Sequence, residues 1–210
     1  VVARRHRGAV AAPRLAPPSV GSERLGAIWS AVAAQLELRY EEQALRGTVG
    51  EVSLELRREH RGRRGVFLIG ELSYPDLGLE LGLHPARGFG RRWLAGRGAR
   101  VSLGDERFDQ LQRLEGRDPE QVTAVLKMLL ASLDPFLPVA AMDDRHLVVE
   151  RRDGGQRAQK LRRLATRLLT LAREVARARG AIPPPAAFVH GLASWRELAG
   201  RLGAELQTGA

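Results

Sequence analysis

In "GEVSLELRR", residues 50–58, the apolar side chains Val52, Leu54 and Leu56 alternate with Ser53, Glu55 and Arg57. A period of two puts one set on each face of a strand, so this segment requires a partner layer on one side and tolerates water on the other. "REHRGRRG" follows as a hairpin-like connection with Gly62 and Gly65. "VFLIGELSY" is more continuously apolar and reads as a central strand, and "LGLELGLH" alternates again, with Leu79, Leu81 and Leu83 facing one way. Pro75 and Pro85 mark strand ends or edges. Consecutive strands with short links predict an antiparallel meander that is polar on one face.

Around this sheet the period changes to that of a helix. Ser22 offers an N-cap, and Leu25, Ile28, Trp29, Val32, Ala33 and Leu36 follow at helical spacing, before "LELRYEE" turns extended. Asp118-Pro119-Glu120-Gln121 is a helix start, with a capping carboxylate, a proline at the first helical position and an acid at the positive end of the dipole. Val122, Val125, Leu126, Leu129 and Leu133 form its apolar face, and Pro135 ends the helix near Asp134. "HLVVERR" is a strand and "DGG" a turn, and the longest helix runs from about Gln156 to Arg179. Its stripe includes Leu161, Leu164, Leu168, Leu171 and Val175, and Gly180 and "IPPP" stop it. "FDQLQRLEG" reads as a strand with Phe108, Gln110 and Gln112 on one face.

The expected fold is therefore α+β: an antiparallel meander sheet of about five or six strands with helices packed on one face. The expected organisation is a flexible basic arm over 1–21, a single α+β domain over 22–180, and a Pro-led tail over 181–210. The tail carries a short helix with Trp195, Leu198, Leu202 and Leu206 on one side.

Several function classes are excluded or weakened at once. The chain has no cysteine, which removes disulfides and thiolate metal sites. No apolar run approaches the roughly 18 residues that would indicate a transmembrane segment. The Arg-bearing start lacks the apolar core of a signal peptide, so the cytoplasm is the default location, and a chain that starts with Val leaves room for a lost upstream segment.

The formal net charge is +10, carried almost wholly by arginine, a footprint of nucleic-acid or anionic-surface binding. Arginine richness beside abundant Ala, Gly, Leu and Pro is also what a high-GC genome writes. Three clusters stand out. The first is Arg57, Arg58, Arg61, Arg63 and Arg64 in the hairpin; the second is Arg87, Arg91, Arg92, Arg97 and Arg100 in a glycine-rich loop with Phe89 and Trp93; the third is Arg157, Lys160, Arg162, Arg163, Arg167, Arg173 and Arg177 on the last helix. An aromatic among arginines could stack bases while guanidinium groups hold phosphates. The candidate polyanion site is therefore Arg91, Arg92, Trp93 and Arg97 with Arg162, Arg163 and Arg167. The helix arginines do not form one narrow stripe, and no helix-turn-helix, RNA-recognition or zinc-finger signature supports them.

Catalytic signals are sparse. Asp105 and Asp109, with Glu106 between, could hold a hard cation, but the dense carboxylate run of a calcium loop is missing, and a turn with a strand-start carboxylate explains them. Asp143, Asp144 and His146 could do acid–base or metal chemistry, but also read as a reverse turn into a strand. The five histidines are scattered, no serine sits in a G-x-S-x-G elbow, and there is no Walker A sequence. No catalytic residue, metal ligand or cofactor is assigned. The leading expectation is a non-catalytic protein-interaction or structural module with a protein partner. The alternatives are nucleic-acid or polyanion binding, and a metal-dependent hydrolase using Asp105, Asp109, Asp143 or His146.

One resemblance runs through the turn and core residues. An L-x-G-x-x-G turn (Leu45, Gly47, Gly50), a G-D-x-x-F-D corner (Gly104, Asp105, Phe108, Asp109) and a G-x-D-P-E-x-V helix start (Gly116, Asp118, Pro119, Glu120, Val122) occur in that order. Over residues 22–180 the layout resembles uncharacterised bacterial proteins that carry a domain of unknown function. Some of these have membrane segments ahead of the domain. The resemblance implies a strand, helix, strand and helix succession after the corner and brings no catalytic residues with it.

Overall fold

The computed structural model describes residues 20–86 and 98–182, together with the helical residues 194, 195, 197–199 and 201. Four α-helices and nine strands are described: α1 (Val20–Gln35), β1 (Arg39–Glu41), β2 (Ala44–Val49), β3 (Val52–His60), β4 (Val66–Ser73), β5 (Gly82–Pro85), β6 (Ala99–Val101), α2 (Glu106–Leu111), β7 (Gln112–Gly116), α3 (Pro119–Leu133), β8 (Ala140–Asp143), β9 (His146–Arg152) and α4 (Ala158–Gly180). The strands form one sheet in the order β1-β2-β3-β4-β9-β8-β5-β7-β6, antiparallel at every pairing.

The α+β class holds, but the count of five or six strands does not. β1, β6 and β8 span three or four residues each, too few to display a period. The meander also holds only as far as β4, because the β8–β9 hairpin inserts between β4 and β5.

Register explains the core. Leu45 pairs with Leu56, Leu56 with Gly70, Gly70 with Val149 and Val149 with Ala140, so these residues share one face of the sheet. That face is buried under the helices. α4 lies over β2, β3 and β4, α1 packs beside it near β1, and α3 packs on its other contacts near β6 and β7. Gly70 lets α4 approach: a Cβ there would stand 2.5 Å from Leu168 Cδ1.

Two local expectations are corrected. "FDQLQRLEG" is not one strand. Asp105 caps α2 by accepting a hydrogen bond from the Phe108 amide at 2.8 Å, and the strand begins only at Gln112. The cap converts a short apolar-flecked run into a helix that buries Phe108. "LGLELGLH" is a strand only from Gly82. Leu77, Leu79 and Leu81 are buried as the alternation requires, but the amides of Leu79, Glu80 and Leu81 bond to the Asp144 carboxylate rather than to a neighbouring strand.

Candidate functional site

Two of the hairpin arginines, Arg57 and Arg61, are engaged on the sheet face opposite the helices. Arg57 donates to Glu55 at 3.1 Å and to Glu71 at 2.9 Å, and Arg46 donates to Glu55 and Glu42. Arg61 makes a bidentate pair with Glu150, both bonds 2.8 Å, donates to Glu59, and lies over the Phe67 ring. Burial pushes the Glu55 carboxyl up, but hydrogen bonds from Arg46 and Arg57 outweigh it and leave the group below its ordinary value. This face is therefore a lattice of alternating charge that neutralises itself.

α4 is different. Its apolar side, including Leu161, Leu164, Leu168, Leu171 and Val175, is buried. Its outer side carries Lys160, Arg162, Arg163, Arg167 and Arg173 before the first acid, Glu174, which pairs with Arg177 at 3.0 Å. Arg157 occupies the N-cap without a side-chain cap bond, and the first turn holds no acid. Cations at this end oppose the helix dipole, which favours negative charge there.

Lys160, Arg163 and Arg167, at i, i+3 and i+7, share one flank of α4 and line a cavity of about 130 Å³. Arg151 from the end of β9 lines its other side, and Leu68 and Leu164 contribute apolar surface. Among the described residues the single carboxylate in the wall is Asp153, whose Oδ1 accepts the Gly155 amide at 2.9 Å within its own turn. Arg58 lies close by, donating to the Gly154 carbonyl at 3.2 Å. The turn is fixed from below by α1, where Trp29 Nε1 donates to the Gly155 carbonyl.

Of the residues singled out in the sequence, Arg163 and Arg167 meet at this cavity and Arg162 does not line it. Arg91, Arg92, Trp93 and Arg97 lie outside the described residues. Sequence reasoning missed Arg151 as a site residue and left Lys160 in the general helix cluster. The three-seven spacing of Lys160, Arg163 and Arg167 was the available signal; nothing local announces Arg151.

The acidic candidates have local partners. Asp109 accepts from the Ser102 hydroxyl at 2.6 Å and from the amides of Leu103 and Gly104. Asp105 caps α2, and Asp144 holds the 79–81 segment. Asp143 Oδ1 accepts the amides of Arg145 and His146 and lies 3.5 Å from His146 Nδ1. Among the described residues, no group of three His, Cys, Asp or Glu side chains is placed to hold a metal ion. No described helix is long and apolar enough to cross a membrane. Comparison of the chain with protein-family models, with curated proteins and with solved structures finds no match.

Proposed function

We propose that this domain is a non-catalytic binding module whose ligand is a polyanion, held at the cleft between α4 and the end of β9. The supporting observation is the cavity wall, where Arg151, Lys160, Arg163 and Arg167 face one carboxylate. Cations that outnumber the acids around a concave surface repel one another, and an anionic ligand relieves that repulsion. The contrast within the molecule also favours this reading. Arg57 and Arg61 are bound to glutamates, whereas no ion pair joins the four cleft cations to a described acid. The sheet's polar face, with its charges matched, does not demand a partner of its own.

The test is a fluorescence-anisotropy titration of the nuclease-treated protein with labelled single- and double-stranded oligonucleotides at two salt concentrations. If four phosphates are neutralised on a single strand, affinity falls about fiftyfold between 50 and 200 mM salt. Arg163→Glu combined with Arg167→Glu abolishes the binding. Absence of binding at 50 mM salt overturns the proposal.

A further inference from the structure

The cleft has a shape as well as a charge, and the shape selects among anions. Its volume of about 130 Å³ is well below the roughly 300 Å³ at which pockets begin to enclose drug-sized ligands. A phosphate group fits such a space. Resting on the polyanion reading above, we infer that the cavity takes the terminal phosphate of a nucleic-acid strand, with the following phosphodiesters running along α4.

A phosphomonoester carries about −1.5 to −2 charge at pH 7, whereas each phosphodiester carries a single charge. Four cations against one carboxylate match the higher charge better. Leu68 and Leu164 in the wall exclude water from part of the site and strengthen each pairing. A terminal phosphate also enters a concavity on one tether, while an internal phosphodiester must lead the chain both in and out.

The rest of the strand has a path. Arg162 and Arg173 lie about 100° round α4 from Lys160, Arg163 and Arg167, so a strand leaving the cavity crosses onto the outer face of the helix, which carries no acid before Glu174. At helical rise, Arg162 to Arg173 covers about 16 Å, enough for two or three successive phosphates. A phosphorylated lipid headgroup offers the same terminal chemistry, but the apolar stripe of α4 is committed to the core and does not insert into a bilayer.

The deciding experiment compares one labelled oligonucleotide carrying a 5′-phosphate, a 3′-phosphate or hydroxyls at both ends, by anisotropy in 100 mM salt. A fourth probe is vesicles containing phosphatidic acid. We expect one of the phosphorylated forms to bind about tenfold more tightly than the hydroxyl form. Arg163→Ala with Arg167→Ala erases that ratio. Arg162→Ala with Arg173→Ala lowers every affinity and keeps it. Equal affinity of all three oligonucleotides overturns end recognition and leaves the polyanion reading standing. Failure of all three to bind overturns both. Vesicle binding tighter than that of any oligonucleotide overturns the assignment to nucleic acid. Circular dichroism of each variant, unchanged from the parent, separates loss of contact from loss of fold.

Discussion

Trp29 Nε1 lies 3.1 Å from the carbonyl oxygen of Gly155, so the indole of α1 is bonded to the turn that launches α4. Trp29 is 1% exposed, and Gly155 has a φ of +64°, where a Cβ would stand 2.9 Å from Trp29 Cζ2. Gly155→Ala therefore combines left-handed strain with a clash against a rigid ring. We expect a loss of about 2–4 kcal/mol in urea unfolding. Gly154→Ala is the control, since its Cβ would meet nothing nearer than 3.5 Å, and it should cost less than about 1 kcal/mol.

Asp144 carries a segment that no strand supports. Its Oδ1 accepts from Leu79 and Leu81 and its Oδ2 from Glu80, at 2.8–3.2 Å. Asp144→Ala should destabilise the fold by about 3 kcal/mol, because three amides lose a charged acceptor. Amide exchange at residues 79–81 should accelerate more than elsewhere, and Asp144→Asn should cost less because one acceptor oxygen remains. Unchanged exchange at those three amides would contradict this role.

These two anchors show where the sequence could be read and where it could not. The helix start at Asp118 was legible because its signals are local: the carboxylate bonds to amides two and three residues ahead. The role of Asp144 was not, since its partners lie more than sixty residues back in the chain. Leu79 and Leu81 illustrate the same limit. Alternation correctly marked them as buried, but burial does not require a strand when a carboxylate can satisfy the backbone. At the cleft, helical spacing exposed Lys160, Arg163 and Arg167, while Arg151 joins them only through the path of the Asp153–Gly155 turn.

Acid should loosen the fold in a defined direction. The Arg61 guanidinium lowers the Glu59 carboxyl, and the Gly78 amide followed by Arg145 lowers Asp76. Burial raises Asp109, but the Ser102 hydroxyl, the Leu103 and Gly104 amides and nearby Arg100 leave it below its ordinary value. A carboxylate with a depressed folded pKa contributes stability that is present above its unfolded value, about 4, and lost as pH falls through the folded value. Urea midpoints should therefore be level from pH 7 to 5 and decline below about pH 4. The decline should be shallower in Asp109→Asn. A midpoint that rises on acidification would refute the assignment.

Arginines in paired and unpaired settings should separate cleanly in function. Arg57→Ala breaks the pairs with Glu55 and Glu71 on the face away from the cleft. It should change oligonucleotide affinity by less than about twofold and stability by under about 1 kcal/mol. Arg163→Ala should reduce affinity by about tenfold at low salt, with little effect on the urea midpoint, and should flatten the salt dependence by about one phosphate. Equal effects of the two substitutions on binding would place the ligand elsewhere.

The insertion of β8 and β9 beside β4 also sets the order of assembly. β1 to β4 are consecutive hairpins and can pair as soon as they emerge from the ribosome, but β4 finds its second neighbour only when Phe67 meets Arg152. Until then the nascent ribbon presents an open strand edge carrying Leu68, Ile69 and Leu72. Closure of this central seam is a long-range event, slow compared with hairpin formation. The interval before it is when the chain is most exposed to pairing with another copy of itself.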